Sequence, residues 1–408
     1  MSRIKIKNFG PVKAGYGDKD GWLDIRKVTV FTGNQGSGKS TVAKLISTFT
    51  WIEKALVRGD YDKIWFEEEG RFKHSLLSYH RLESYLHPES VIEYEGDAYA
   101  IKYQDNVMSI CVLSYQTYPL PQIMYVPAER NFLAYVKTPN ELKVSSESLK
   151  EFLTEYDNAK HDIKGVVHLP INQASVEYDK LNDILNLKGE DYKVRLTDAS
   201  SGFQSFVPLF LVSDYLANSA SKQKENRMYV SGKEMMRFKK GVQDIWDNES
   251  LTDEQKRIAL SVLSSKFNKT AFVNIVEEPE QNLYPSSQWK MLQSLLELNN
   301  MSDGNKLIMT THSPYLINYL TLAVKAGILK PEIKTDEQRS ELARIVPLPS
   351  AICPEDLAIY ELDERNGAIQ ALKTYDDLPS DENKLNEELD EGNELFAQLL
   401  ELQQKLSL

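Results

Sequence analysis

The chain has 408 residues, 41% of them apolar and 26% charged, with a formal net charge of −12 at pH 7. That length sets a prior of two or three units, and the composition is that of a soluble globular protein, which excludes a disordered or collagen-like chain. Two cysteines, Cys111 and Cys353, exclude a disulfide scaffold. The longest apolar run, Phe206–Val212, is far short of the roughly 20 residues that span a bilayer, and no signal region follows the charged start, so a cytoplasmic protein with no membrane partner is expected.

The first strand alternates Ile4 and Ile6 with Lys5 and Lys7, an edge pattern with one buried face. A second strand, Val28–Thr32, runs into a glycine-rich turn and a helix from Ser40. A hairpin turning at Gly96-Asp97 joins Ile92 and Tyr94 to Tyr99, Ile101 and Tyr103. Another strand, "QIMYV", ends before Pro127, and a helical, polar pattern covers Ser145 to about Leu187. An apolar helix opens near Phe203, and a helix from Thr252 carries a Thr252/Gln255 capping box. Strands 271–276 and 306–310 flank a helix after Pro285, and Asn366-Gly367 turns a second hairpin. The last 34 residues hold 10 acids and two lysines, with a stripe of Leu395, Leu399, Leu402 and Leu406 at spacings of four and three. The only clearly positive segment is Ser221–Lys240, with seven basic and two acidic residues.

Four segments carry chemistry. "GNQGSGKST" follows a strand and opens a helix, the context of a phosphate loop. Gly33, Asn34, Gln35, Gly36, Ser37, Gly38, Lys39, Ser40 and Thr41 would bind ATP: backbone N–H groups and the helix N-terminus cradle phosphates, and Lys39 reaches the β- and γ-phosphates. The Ser40 hydroxyl would bind Mg²⁺. "FVNIVEEPE" is an apolar strand ending in Glu277, which would hold Mg²⁺ through water, and Glu278, which would polarise the attacking water. "MTTHSP" places His312 after a strand expected beside the Glu277 strand in a parallel sheet, where it would reach the γ-phosphate. "DASSGFQS" puts Ser200, Ser201 and Gly202 before the apolar helix.

In this order the four segments resemble ATP-binding-cassette (ABC) ATPases: Walker A, the signature motif at Ser200–Gly202, Walker B with its catalytic glutamate, and the switch histidine. The runs "IKIKNFGPV", "YVPAER", "EEPEQNLYP" and "THSPYLI" are similar to the RecF-like and overcoming-lysogenization-defect-like branch, and more narrowly to ATPase subunits of two-component PARIS-type anti-phage defence systems. The chain departs from the pattern in having Glu277 where Walker B usually has aspartate. It also lacks an obvious Q-loop glutamine, a role left open between Gln122 and Glu129-Arg130.

The resemblance implies an α/β fold: an ABC-type P-loop sheet at 1–345, with mostly helical insertions near 135–195 and 215–268, then a small hairpin and helical tail at 346–408. It implies ATP and Mg²⁺ as cofactors. It also implies a homo-oligomer in which each signature caps a partner's nucleotide, a separate Toprim-type nuclease subunit, and a phage-encoded trigger protein. The alternative is a RecF-like DNA-repair ATPase with Lys222–Lys240 as its DNA face, although a solvated helix surface accounts for the same charges. The tail stripe is open in the same way, between packing on the body and docking the effector. The 160 residues from Ser40 to Ser200 carry no sustained heptads, which excludes a long-armed chromosome ATPase.

Overall fold

The computed structural model describes residues 2–113, 118–135, 146–225, 240–265 and 270–406. The chain forms β1 (Ser2–Phe9), β2 (Gly15–Tyr16), β3 (Leu23–Ile25), β4 (Val28–Gly33), α1 (Lys39–Arg58), β5 (Leu86–Glu95), β6 (Tyr99–Gln104), β7 (Val107–Val112) and β8 (Pro121–Val126). Next come α2 (Glu147–Asp162), β9 (Val166–His168), β10 (Ser175–Asp179), β11 (Ile184–Lys188), β12 (Lys193–Arg195), α3 (Ser201–Glu225) and α4 (Asp253–Ser265). The last principal elements are β13 (Ala271–Glu277), α5 (Pro285–Asn300), β14 (Lys306–Thr311), α6 (Pro314–Leu329), β15 (Leu357–Leu362), β16 (Ala368–Ala371) and α7 (Lys384–Leu406).

The apolar strands build a seven-stranded sheet in the order β2-β16-β15-β4-β14-β13-β8, in which β15, β4, β14, β13 and β8 are mutually parallel. Parallel strands covered on both faces read as continuous apolar runs, and every residue of β4 and β13 is buried. Phe31, Val273, Ile275 and Ile308 point to α1, while Val30, Phe272, Val276, Leu307 and Met309 point to α3, α5 and α6. The opposite face of α1 is covered by an antiparallel sheet, β3-β1-β5-β6-β7, through contacts such as the Phe49–Tyr94 ring stack at 5.7 Å. β1 has the expected single buried face, but it is not an edge: β3 and β5 pair with it on either side.

The insertion near 135–195 is not mostly helical. Among the described residues only α2 is a helix there; β9 to β12 form a four-stranded antiparallel sheet. Val176 and Tyr178 alternate with half-buried polar residues on β10, and Leu185 and Leu187 alternate with the half-buried Ile184, Asn186 and Lys188 on β11. A half-polar strand of five residues has a low mean hydropathy, so its period of two is easily passed over. In the 215–268 insertion the described residues of α3 and α4 are helical, and Thr252 and Gln255 exchange both capping-box hydrogen bonds. The basic stretch falls largely on residues 226–239, outside the described residues.

The 366–367 hairpin and the tail helix form as expected. Leu385 in the first turn of α7 packs against the core, but every described side chain from Glu387 to Leu406 is exposed, including Leu395, Leu399 and Leu402. No helix among the described residues is long and apolar enough to cross a membrane.

Candidate functional site

The five parallel strands end at one edge of the sheet, where open α/β sheets place their ligands. β4 ends in Gly33, with a φ of +139°; a Cβ there would lie 2.3 Å from the Leu362 carbonyl oxygen of β15, so only glycine fits. The crest Asn34, Gln35 and Gly36 is exposed, whereas Ser37, Gly38, Lys39 and Thr41 are buried and Ser40 is half-buried. Gly38, at φ +103°, turns the chain into α1, whose first backbone N–H groups face the loop. The Ser37 hydroxyl is buried without a hydrogen-bond partner. Lys39 Nζ donates to the carbonyls of Gly33 (2.9 Å) and Asn34 (2.8 Å), which tucks the ammonium under the loop. Burial pulls its pKa down to about 8, opposed chiefly by the carboxylates of Glu278 and Glu280. The hairpin tip braces the crest, with Asn34 Nδ2 donating to Glu364 Oε1 at 3.2 Å.

Two strands away β13 delivers its carboxylates. Glu277 is 5% exposed and accepts from the Ala128 N–H at 3.2 Å. Glu278 has a φ of +42°, a left-handed conformation that costs a non-glycine residue about 1–3 kcal/mol. Its N–H donates to the Thr310 carbonyl at 2.9 Å. His312, just past β14, brings Nε2 to 3.4 Å from Glu278 Oε1. The His312 hydrogen bond, then its charge and those of Lys39 and Arg130, hold the Glu278 carboxyl below the usual range against the effect of burial. Glu278 is therefore a carboxylate at neutral pH.

β14 lies between β4 and β13, so His312 sits between the loop and the carboxylates, in the sheet position expected. The sequence-predicted loop 33–41, Glu277, Glu278 and His312 are thus brought together. Ser200, Ser201 and Gly202 are not joined to them. Ser200 and Ser201 are exposed, Gly202 packs on Asn282, and among the described residues no hydrogen bond or ion pair runs from 200–202 to the loop. Gln122 cannot serve at this edge. It pairs with Phe272 at the far end of β8, about 13 Å back along the strand from Val126.

The sequence assigns no role to Glu280 and offers Arg130 only, with Glu129, for the open Q-loop position. Glu280, whose carboxyl is pushed up by burial, accepts from Thr311 Oγ1 (2.7 Å) and the His312 N–H (2.8 Å) and so fixes the end of β14. Arg130 is fully buried behind the carboxylates. The available signal for both was position: each lies within a few residues of a strand end at this edge.

The donor set fits a nucleotide with its cation. Glycines and an unpartnered buried hydroxyl line a cradle for anionic oxygens. Among the described residues no group of three or more His, Cys, Asp and Glu side chains can hold a metal alone. Mg²⁺ commonly takes one or two carboxylates plus substrate phosphates, and Glu277 with Ser40 supplies hard oxygens of that kind.

Residues 254–317, which include β13, Glu277, Glu278, β14 and His312, match the model of the AAA ATPase domain family. The cell division ATP-binding protein FtsE of Bacillus subtilis (strain 168) is 34% identical over 91 residues, 22% of this chain and 36% of that protein's length. The chain thus spans about a third of that curated relative. An SMC head bound to the C-winged helix domain of ScpA is 11% identical, with 90% of this chain and 95% of that one covered at a TM-score of 0.37. A dimeric post-hydrolysis ATP-binding cassette bound to ADP and Pi is 12% identical, with 92% and 100% covered at a TM-score of 0.29. At such TM-scores the fold rests on the strand order described above. The ATPase-domain match thus falls on the strand whose terminal carboxylates face, across β14, the glycine loop between β4 and α1.

Proposed function

We propose that the chain is the ATP-driven sensor and scaffold of an anti-phage defence system, akin to the PARIS ATPase subunit AriA. In this reading it holds a separate Toprim-type nuclease and releases it when a phage protein is sensed. The observation that carries the ATPase part is the convergence of Lys39, Glu278 and His312 at the ends of three neighbouring strands. The loop 33–41 binds the triphosphate. Lys39 supplies its cation, and Ser40 and Glu277 would hold Mg²⁺, which would supply charge neutralisation at the phosphate oxygens. Glu278, ionised and aligned by His312, orients the attacking water and accepts its proton.

The exposed Ser200–Gly202 corner supports a signature that caps the nucleotide of a second copy, giving a homo-oligomer with composite sites. Closure of such an oligomer depends on the γ-phosphate, which is how a nucleotide biases a two-state element. The defence role is supported by the runs around Phe9, Arg130, Glu277 and His312 and by a tail helix whose leucine stripe is exposed. The purified chain should hydrolyse ATP and leave DNA and RNA intact. Cells carrying it alone should be unprotected and unharmed, and co-expression with a neighbouring Toprim gene should give phage-triggered arrest. Nuclease activity in this chain, abolished by a point mutation within it, would overturn the reading.

A further inference from the structure

Arg130 is the largest fully buried side chain among the described residues. A guanidinium taken out of water is costly unless its donors are met, and here they go to four backbone carbonyls. Nε donates to Ser205 (3.1 Å), Nη1 to Pro127 (3.2 Å) and Glu277 (2.6 Å), and Nη2 to Glu278 (2.6 Å). Burial pulls its pKa to about 10, opposed by nearby Glu280, Glu278 and Glu277, so it is charged at neutral pH. Among the described residues it makes no ion pair; its hydrogen bonds go to the main chain of three segments.

Those segments are the end of β8, the end of β13 and the first turns of α3. A second tie runs beside the first, with Asn282 Nδ2 donating to Ser205 Oγ at 3.0 Å. Gly202 lies against the same loop, where an added Cβ would be 2.8 Å from the Asn282 carbonyl oxygen. The left-handed backbone of Glu278 is therefore clamped on both sides, its N–H by Thr310 and its carbonyl by Arg130. A strained conformation of this kind persists only where its surroundings hold it.

We infer that Arg130 is a positioning residue for hydrolysis: a strut that holds the Glu278 backbone against the start of α3, so that the Glu278 carboxylate is aligned only while α3 is seated. This rests on the proposed role of Glu278. It gives each chain a rigid connection between its own hydrolytic carboxylate and the corner that would cap a partner's nucleotide. Docking of that corner on one ATP is thereby linked to cleavage of another. Lysine cannot substitute, because a single nitrogen on a flexible stem does not span three segments.

The test is steady-state and single-turnover ATP hydrolysis by the full chain carrying Arg130→Lys, alone and combined with Glu278→Gln. The expected result is a kcat at least tenfold lower with KM for ATP within threefold, because the loop 33–41 is untouched. In the Glu278→Gln background Arg130→Lys should lower the residual rate by less than twofold, since the two residues act as a unit. A merely structural defect would lower both backgrounds alike. If Arg130→Lys does not fold, Asn282→Ala removes the second tie while leaving the buried charge satisfied. It should lower kcat at least threefold in the wild-type background and leave the Glu278→Gln rate unchanged. Wild-type kcat in the variants, or equal losses in both backgrounds, would overturn the strut. A Glu278→Gln chain with full activity would instead overturn the role of Glu278 on which the strut rests.

Discussion

The buried lysine of the glycine loop makes ATP binding depend on pH in a range where ATP itself no longer titrates. Lys39 is held by two carbonyls, and burial lowers its pKa to about 8, the nearby carboxylates only partly offsetting that. In the free chain the ammonium is then about 90% populated at pH 7, about half at pH 8 and about 10% at pH 9. Only the ammonium attracts the phosphates, and their charge raises its pKa once they bind. Binding above pH 7 must therefore take up protons, about half a proton per ATP at pH 8. The apparent Kd should rise about twofold at pH 8 and about tenfold at pH 9 relative to pH 6.5. Titration calorimetry of ATP into the wild-type chain in EDTA, where hydrolysis lacks its Mg²⁺, repeated in buffers of different ionisation enthalpy, measures both quantities without turnover. Lys39→Arg, which keeps its charge throughout, should show a flat profile. A wild-type affinity that is constant from pH 7 to 9, with no net proton uptake, would refute the placement of Lys39 and the origin of its lowered pKa.

Three further outcomes follow from the same geometry. Gly33→Ala should abolish the site and lower the melting temperature, because its Cβ would meet the Leu362 carbonyl at 2.3 Å and φ is +139°; ATP binding with unchanged affinity would contradict this. Gly202→Asp chains should bind ATP without hydrolysing it, and mixing them with Lys39→Ala chains should restore activity if each corner serves a partner's site; no rescue between subunits shown to exchange would count against composite sites. Leu395→Asp, Leu399→Asp and Leu402→Asp together should leave the melting temperature within about 2 °C, since surface changes rarely exceed about 0.5 kcal/mol each; a large drop would show the stripe packed in solution.

Much of this architecture was legible because the parallel strands are apolar from end to end. "VTVFT", "FVNIV" and "KLIMT" stand out by composition alone, and the glycine loop and paired glutamates mark which strand ends carry chemistry. The neighbour relation of His312 and Glu278 followed from one helix separating their strands. What was not legible depended on pairing between distant segments. The four strands after α2 were read as helix because half their residues face solvent. The flanking strand β3 sits beside β1 through pairs such as Ile4–Leu23, which local periodicity does not record. Arg130 looks like an ordinary charge in "PAER" until the carbonyls of Glu277, Glu278 and Ser205, 75 to 148 positions away, are placed around it. The exposed tail shows the converse limit: its leucine spacing suits packing, yet the fold presents no described partner to it.

The most direct test of the central claim is the ATP turnover of Glu278→Gln beside the wild type, with nucleotide occupancy measured on the same samples. The variant should bind ATP as tightly as the wild type and hydrolyse it about 10²–10⁴ times more slowly, the usual contribution of a positioned base. It should also retain unhydrolysed ATP after gel filtration. Turnover at the wild-type rate with ATP bound would contradict the assignment of Glu278 and, with it, the hydrolytic site at the ends of β4, β14 and β13.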